Sequence, residues 1–388
     1  MSGADRFPAE EFIVPGKRSV RTALSAAMAA VGLTTSTSGS TSTSGSTSTR
    51  DRKMLGLPQA DRVCFVMVDG LGAENLDARS GHAPTLRSMS HLDPLTTVAP
   101  STTAAAITAV GTGEPPGRTA MMGYSLRSPA SGKPFSLIKW DDPALDPLSW
   151  QRRPTLFELL GSRADRCTVV QPPAFVGSGL TLAALRGAQA SPAQTLSERV
   201  EAAAGALRKG AECVYLYWGE IDHAGHSRGW TSQEWVAELE SFDGAIATLA
   251  RSVPRGTLIV ITADHGMVDV GARIDLADAP RLTDGTELIA GEDRAIQIYT
   301  RRPEEVAARW REELGEASLV FTADEAVASG IFGPVEDFAR SIMGDVISFQ
   351  RGDLAIVDSR GRTSPPMRGV HGSLSPLEML VPLIVEVV

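Results

Sequence analysis

The sequence predicts an α/β protein in which a mostly parallel sheet is covered by helices on both faces and carries a smaller inserted α+β cap. Short runs of continuous apolar residues recur along the chain, as expected of strands that are buried on both faces. Between them lie segments whose apolar residues recur at helical spacing. With 388 residues and 43% hydrophobic content, the chain is long enough to bury one large core.

Several apolar runs are strand candidates, and two of the segments between them are clear helix candidates. The strand candidates are residues 63–68 (VCFVMV), 168–171 (TVVQ), 213–218 (CVYLYW), 257–263 (TLIVITA) and 380–388 (LVPLIVEVV). The helix candidates are residues 195–210 (TLSERVEAAAGALRKG) and 232–253 (SQEWVAELESFDGAIATLARSV). This alternation favours parallel strands joined through helices.

The chain divides into four predicted regions. Residues 1–33 form an N-terminal segment in which 19–33 are expected to be an amphipathic helix packed on the main domain. An export signal is the alternative, but the apolar stretch is too short to span a bilayer and follows an acidic leader. Residues 34–49 contain no apolar side chain and predict a flexible loop. The main domain comprises 50–271 and 367–388, and the cap comprises 272–366.

Charge and cysteine content narrow the class of protein. The net charge is −9 and the arginines are scattered among acidic residues, which argues against binding to a nucleic acid duplex. Cys64, Cys167 and Cys213 are odd in number and lie in apolar runs, so they are expected to be free thiols in a reducing compartment, the cytoplasm. We expect neither a membrane nor a nucleic acid as partner, and the oligomeric state stays open.

Carboxylates and imidazoles occur in short motifs that follow the strand candidates. The candidate ligands are Asp69 in VMVDGLG, Asp222 and His226 in DHAGH, Asp264 and His265 in ADHG, and His371 in GVHGS. Ligands of open α/β sheets bind beyond the carboxyl ends of the strands, so these motifs are expected to meet at one edge. Each motif also has a simpler reading, such as a turn-capping aspartate at Asp69 or a turn histidine at His371.

Two further readings bear on these motifs. A dinucleotide fingerprint after the first strand is weak, because Asn75 stands where the third glycine belongs. In DHAGH, the spacing of four places Asp222 and His226 on one side of a helical turn. His223 then points elsewhere and is expected to lie outside the ligand set.

The run APSTT predicts a helix that begins around residues 101–103. Ser101, Thr102 or Thr103 can serve as an ordinary N-cap. A hydroxyl at a helix N-terminus also lies where free N–H groups and the helix dipole favour a phosphate or an alkoxide. The two roles are compatible.

Taken in order, these motifs resemble those of the alkaline phosphatase superfamily, and most closely its type I phosphodiesterase/nucleotide pyrophosphatase branch with its phosphonoacetate hydrolase relatives. The resemblance covers roughly residues 60–388. It rests on VMVDG (66–70), PSTT (100–103) with GTGEPPG (111–117), DHAGH (222–226), ADHG (263–266) and VHG (370–372).

The resemblance implies two divalent metal ions and a phosphothreonine intermediate. One ion would be held by Asp222, His226 and His371. The other would be held by Asp69, Asp264, His265 and the oxygen of Thr103. Mixed Asp and His ligands suit zinc best, and manganese or iron fits the same donors.

The family pattern also bears on the nucleophile and on phosphate recognition. Laying PSTT and the Thr112-Gly113 pair on the pattern selects Thr103 as the nucleophile, with Thr102 as the alternative. The Pro-Asn pair usual after the nucleophile is Ala104 and Ala105 here. The asparagine that hydrogen-bonds a phosphoryl oxygen falls on Tyr124, whose phenol could donate the same bond from farther away.

The function expected from the resemblance is a two-metal phosphodiesterase or nucleotide pyrophosphatase that acts on a small-molecule phosphate ester or nucleotide. One alternative is cleavage of a phosphonate C–P bond or of a phosphomonoester on the same metals. Another is a noncatalytic metal-binding protein, which the missing asparagine favours. A sulfatase is disfavoured because no Cys or Ser stands in a C/S-x-P-x-R motif near the first strand.

Overall fold

The computed structural model describes residues 12–34, 47–360 and 365–388. Its strands are β1 (Arg62–Val68), β2 (Ser90–Thr96), β3 (Ser125–Arg127), β4 (Pro134–Ser136), β5 (Cys167–Gln171), β6 (Gln189–Pro192), β7 (Cys213–Trp218), β8 (Thr257–Ala263), β9 (Val268–Asp269), β10 (Ala272–Asp275), β11 (Leu288–Glu292), β12 (Ala295–Tyr299), β13 (Ser318–Thr322), β14 (Val346–Gln350), β15 (Leu354–Val357), β16 (Gly369–Val370) and β17 (Leu380–Val387).

Helices precede or follow most of these strands. The α-helices are α1 (Ala23–Ala30), α2 (Thr47–Leu55), α3 (Ala73–Ala78), α4 (Pro84–Ser88), α5 (Thr103–Thr112), α6 (Pro116–Thr119), α7 (Pro147–Trp150), α8 (Gly179–Ala184), α9 (Leu196–Arg208), α10 (Glu220–Arg228), α11 (Gln233–Ser252), α12 (Pro280–Thr283), α13 (Pro303–Leu314), α14 (Ala323–Ser329), α15 (Asp337–Ile342) and α16 (Pro376–Met379). Short 3-10 helices lie at Val20–Thr22, Ser80–His82, Glu158–Arg166, Pro173–Phe175 and Gly315–Ala317.

The central sheet has seven strands in the order β2-β17-β8-β1-β7-β5-β6. The pairs from β8 across to β6 are parallel, and β17 runs antiparallel between β8 and β2. Every residue of β8 is buried, as expected of a strand covered on both faces. The predicted fold class, an α/β protein with a mostly parallel sheet, is confirmed.

The N-terminal helix differs from the expected amphipathic one. All eight residues of α1 are buried, because the helix packs against β1 on one side and against α2 and α5 on others. A helix that is apolar all round is enclosed by protein, which its alanine-rich composition allows. Residues 35–46 of the predicted loop lie outside the described residues, and α2 begins at Thr47, inside the predicted 34–49 loop.

The region predicted as a cap contains a second sheet, with the antiparallel order β11-β12-β14-β13. Helix α13 covers this sheet and buries Trp310 completely. The chain leaves the main sheet through β9 and returns through β16, and these two short strands pair antiparallel. The inserted region is therefore closed at its base, next to the end of β8.

A fully buried ion pair joins the inserted region to the main domain. Arg294, next to β12, and Glu378, in α16, are both fully buried and form a bidentate contact, with Nε to Oε1 at 3.0 Å and Nη2 to Oε2 at 2.7 Å.

Among the described residues, no helix combines the length and the apolar character required to cross a membrane.

Candidate metal centre

The predicted ligand motifs meet at the carboxyl ends of β1, β7 and β8. Asp69 follows β1 directly, and Asp264 follows β8 directly. Helix α10, which begins just after β7, carries Asp222 and His226. His371 follows β16, the strand by which the inserted region returns. The convergence arises because parallel strands present all their carboxyl ends at one edge of the sheet.

The donor atoms form two groups of three. Oxygen and nitrogen atoms of Asp69, Asp264 and His265 lie within 4.8 Å of one another, and so do those of Asp222, His265 and His371. His265 belongs to both groups, and its ring stacks on that of His371 with centroids 3.6 Å apart. Each group offers the mixture of carboxylate and imidazole donors that divalent transition metals accept.

His226 lies at the outer side of this cluster. Its Nε2 atom is 3.2 Å from Oδ2 of Asp222, four residues earlier on α10. Its ring centroid is 5.1 Å from that of His371, whose Nε2 is 3.9 Å from the other oxygen of Asp222. The three side chains predicted to share one ion are thus neighbours, although His226 is outside the tight group that contains His265.

All three imidazoles are oriented by backbone carbonyl groups. Nδ1 of His371 donates to the carbonyl oxygen of Ser101 at 2.8 Å, and Nδ1 of His226 donates to that of Gly369 at 2.8 Å. Nδ1 of His265 donates to the carbonyl oxygen of Gly266 at 3.0 Å. A carbonyl oxygen only accepts, so each Nδ1 carries the proton and each Nε2 keeps its lone pair for the centre.

The carboxylates are held from one side and left open on the other. The Tyr217 phenol donates to Oδ2 of Asp69, and the backbone N–H groups of Gly70 and His265 donate to Oδ1 of Asp264 at 3.1 and 3.0 Å. Oδ2 of Asp264 and Oδ1 of Asp222 are buried and have no hydrogen-bond partner among the described residues. Buried carboxylate oxygens without partners are costly unless a cation neutralises them.

The electrostatics of the cluster also favour bound cations. Burial, together with the charges of Asp264 and Asp222, raises the pKa of Asp69 well above its usual value. Burial also raises the pKa of Asp264. For Asp222, burial acts to raise the pKa but the neighbouring His226 outweighs it, so the pKa is lowered. Enclosed carboxylates that repel one another are the setting in which bound cations are most favourable.

Thr103 is the first residue of α5 and points into this cluster. Its Oγ1 lies 3.1 Å from Nε2 of His265 and 3.5 Å from Oδ1 of Asp69. Thr102 is the N-cap residue, but its side chain makes no capping hydrogen bond. The first N–H groups of the helix therefore stay available to an oxyanion in front of it.

Two glycines make the close approach of these loops feasible. Gly70, after Asp69, has a φ of +73°, and a Cβ there would lie 2.9 Å from Cβ of Asp222. Gly266, after His265, would place a Cβ 1.9 Å from the carbonyl oxygen of Leu377 in α16. Larger residues at these positions would push the ligand-bearing loops apart.

The centre opens into a large cavity of about 1180 Å³. The inserted region contributes part of its wall, including Ile289, Glu292 and Ile356, and the segment between β3 and α8 contributes Ile138 and Phe175. A chamber of this size accommodates a small organic molecule in contact with the candidate metal ligands.

A family model described as type I phosphodiesterase/nucleotide pyrophosphatase matches residues 63–374. The chain belongs to this family. The resemblance drawn from the motifs is thereby confirmed, and so is the prediction of an enzyme of the phosphoric ester hydrolase class.

Solved structures show the same fold. A phosphonoacetate hydrolase from Sinorhizobium meliloti 1021, in complex with phosphonoformate, is 20% identical, with a TM-score of 0.65 over 84% of this chain and 89% of that one. Murine ectonucleotide pyrophosphatase/phosphodiesterase 5 is 16% identical, with a TM-score of 0.65 over 83% of this chain and 87% of that one. The human counterpart is 15% identical, with a TM-score of 0.64 over 84% and 87%. No curated protein matches the chain.

Several residues that shape this candidate site are absent from the sequence-based predictions. Tyr217 lies at the end of β7 beside Met67 and reaches Asp69 across the sheet, so strand register was the signal that could have found it. Glu292 and Glu378 come from distant parts of the chain. Their positions depend on how the inserted region docks, and no local motif marks them.

Proposed function

We propose that the protein is a two-metal phosphodiesterase or nucleotide pyrophosphatase that acts through a phosphothreonine at Thr103. The observation that carries this proposal is the position of the Thr103 hydroxyl, at a helix N-terminus and within 3.5 Å of both Asp69 and His265. A nucleophile next to such a cluster, with free N–H groups beside it, suits phosphoryl transfer.

The donor set fits two divalent cations. The orphaned oxygens of Asp222 and Asp264 and the inward Nε2 atoms of the histidines would hold them, with Asp69 and Thr103 completing the set. Zinc is the metal we propose, since mixed carboxylate and imidazole ligands suit it. When bound, such ions supply Lewis acidity toward phosphoryl oxygens and lower the pKa of coordinated hydroxyl groups.

The chain's own residues account for the remaining chemistry. The hydroxyl of Thr103 hydrogen-bonds to Asp69, which Tyr217 holds in place. Attack of this oxygen on phosphorus forms the phosphothreonine and breaks the bond to the leaving group, and water then displaces Thr103 and releases the product. The N–H groups at the start of α5 face the negative charge that develops on the phosphoryl oxygens.

The substrate we propose is a small-molecule phosphate ester or a nucleotide bound in the 1180 Å³ cavity. Hydrolysis of a phosphonate C–P bond is the second candidate. Lys139 is the one lysine or arginine among the described residues that line the cavity, and a single cation suits a small leaving group that carries one carboxylate. We also propose a cytoplasmic location, because all three cysteines are buried and free.

The test is a substrate panel on metal-analysed protein. Bis-p-nitrophenyl phosphate, p-nitrophenyl phosphate and phosphonoacetate are assayed side by side, and the proposal expects the diester to be cleaved with the highest kcat/KM. Preference for phosphonoacetate would establish the second candidate. Bound metal without release from any of the three would favour a noncatalytic protein.

Paired threonine variants test the nucleophile. Thr103→Ala should reduce turnover by at least a thousandfold while the melting temperature changes little, because a small side chain at a helix start is lost. Thr102→Ala is the matched control and should keep activity within about tenfold, since the Thr102 side chain makes no cap. The reverse pattern would assign the nucleophile to Thr102.

A further inference from the structure

Glu292 is a carboxyl group that the inserted region extends into the metal centre's cavity. It is the last residue of β11, and its Oε2 accepts a hydrogen bond from the backbone N–H of Tyr124 at 2.8 Å. Its Oε1 is enclosed and has no hydrogen-bond partner among the described residues. One oxygen thus anchors the side chain, and the other is free for the contents of the cavity.

The carboxyl lies beside the two loops that carry the reacting groups. A Cβ at Gly372, next to His371, would lie 2.6 Å from Cγ of Glu292, so the glycine is needed for the side chain to pass. Thr102, Thr103 and Glu292 line the same cavity, and the Thr102 hydroxyl acts to lower the pKa of the Glu292 carboxyl. A phosphoryl group at Thr103 would therefore have Glu292 as a near neighbour.

The charge of Glu292 has no cationic partner among the described residues. The guanidinium of Arg294, two residues along the chain, is directed to Glu378 and to the carbonyl oxygens of Gly352 and Leu354. The other charged groups acting on Glu292 are Asp293 and Glu378, and both raise its pKa. This part of the cavity wall is therefore acidic and faces an anionic substrate.

We propose that Glu292 is a specificity-determining residue that makes the site prefer monoanionic phosphodiesters over dianionic phosphomonoesters. The inference rests on the proposed phosphodiesterase function. The two substrates differ by one charge on the phosphoryl group, and a second negative charge near Glu292 is repelled. Repulsion between two unit charges about 7 Å apart, at an effective dielectric constant of about 20, corresponds to roughly a 50-fold difference in kcat/KM between the two substrates.

The comparison is made at pH 9. Burial, together with the charges of Asp293 and Glu378, raises the pKa of Glu292 to about 8, although Thr102 and the N–H of Tyr124 act to lower it. At pH 9 the carboxyl is ionised, and a phosphomonoester, whose second pKa is near 6, is a dianion.

The deciding variant is Glu292→Gln, which keeps the length of the side chain and an acceptor for Tyr124 N–H but removes the charge. The ratio of kcat/KM for p-nitrophenyl phosphate to that for bis-p-nitrophenyl phosphate should rise at least tenfold in metal-loaded protein. Glu292→Asp retains the charge and should leave the ratio within about threefold of wild type. Asp358→Asn is the control, because Asp358 also lines the cavity but pairs with Arg360, and it should leave the ratio unchanged.

An unchanged ratio in Glu292→Gln, with an active wild type, would overturn the inference and leave the proposed function standing. An equal rise in Glu292→Asp and Glu292→Gln would also overturn it, because shape rather than charge would then set the preference. A wild type that cleaves no diester would refute the proposed function and, with it, this role of Glu292. Should Glu292→Gln fail to fold, Glu292→Met removes the same charge and carries the same expectation.

Discussion

Replacing Arg294 by methionine should destabilise the fold and weaken the metal centre together. Arg294 and Glu378 are fully buried and bonded through two oxygens. The same carboxylate accepts the backbone N–H of Ser373 at 2.9 Å, two residues after His371. The carbonyl oxygen of Glu378 accepts the N–H of Gly266 at 2.9 Å, directly after His265. One residue of α16 therefore fixes two ligand-bearing loops.

The expected loss of stability in Arg294→Met follows from the burial of the ion pair. Removing one partner of a buried ion pair leaves an uncompensated charge and costs about 3–5 kcal/mol. For 388 residues, an unfolding entropy of about 2.1 cal/mol/K per residue gives roughly 0.8 kcal/mol/K, so the melting temperature should fall by about 4–6 °C. The double variant Arg294→Met/Glu378→Leu removes both charges and should recover part of this loss. Recovery is incomplete, because the N–H of Ser373 then loses its acceptor.

The assay is urea unfolding of the single and double variants, with metal affinity measured by competition with a chelator. Arg281→Met is the control, since its guanidinium pairs with Glu312 and Glu313 at the surface, and it should cost less than about 1 kcal/mol. A loss below 1 kcal/mol for Arg294→Met, or a double variant as unstable as the two single losses added together, would refute the reasoning. Unchanged metal affinity in Arg294→Met would show that the pair does not position the ligand loops.

Three further predictions concern the cluster itself. His226→Ala should lose about one equivalent of bound metal, measured by elemental analysis, and retention of both equivalents would remove His226 from the ligand set. Tyr124→Phe should raise KM for a diester about tenfold, as expected for one hydrogen bond to a charged oxygen, and an unchanged KM in steady-state assays would exclude the phenol. In chelated protein, the pKa values of His226 and Glu292 are raised to about 9 and about 8, so the folded state holds more protons than the unfolded chain above pH 6.5. Its urea midpoint should therefore fall from pH 6.5 to pH 9, and a constant midpoint would contradict this sign.

The α/β class and the convergence of the ligand motifs were predictable, because both depend on local pattern. Apolar runs identify buried strands, and the ends of parallel strands lie at one edge. Asp69 and Asp264 could thus be placed side by side although they are 195 positions apart in number. The run APSTT indicated the helix start, and the family pattern rather than the helix start selected Thr103 over Thr102.

Other features depend on contacts that no local pattern encodes. Glu292 meets Tyr124 across 168 positions, and Arg294 meets Glu378 across 84. The amphipathic character predicted for the N-terminal helix was wrong for a related reason. Alanine suits an exposed amphipathic helix and an enclosed one equally, and only the packing of α1 against α2 and α5 distinguishes them. The sharing of His265 between both donor groups likewise required the three-dimensional arrangement.

The antiparallel strand β17 has a consequence for how the molecule matures during translation. It inserts between β2 and β8, and it follows His371 in the chain. Everything from β1 to the inserted region is therefore synthesised before His371 and β17. Until β17 is synthesised, one edge of β8 is unpaired and apolar. Such an edge can pair with strands of other chains and so promotes aggregation. Pairing of β17 with β8 would close this edge, and His371 precedes β17 by only a few residues, so the sheet edge and the set of candidate ligands are completed together at the end of synthesis.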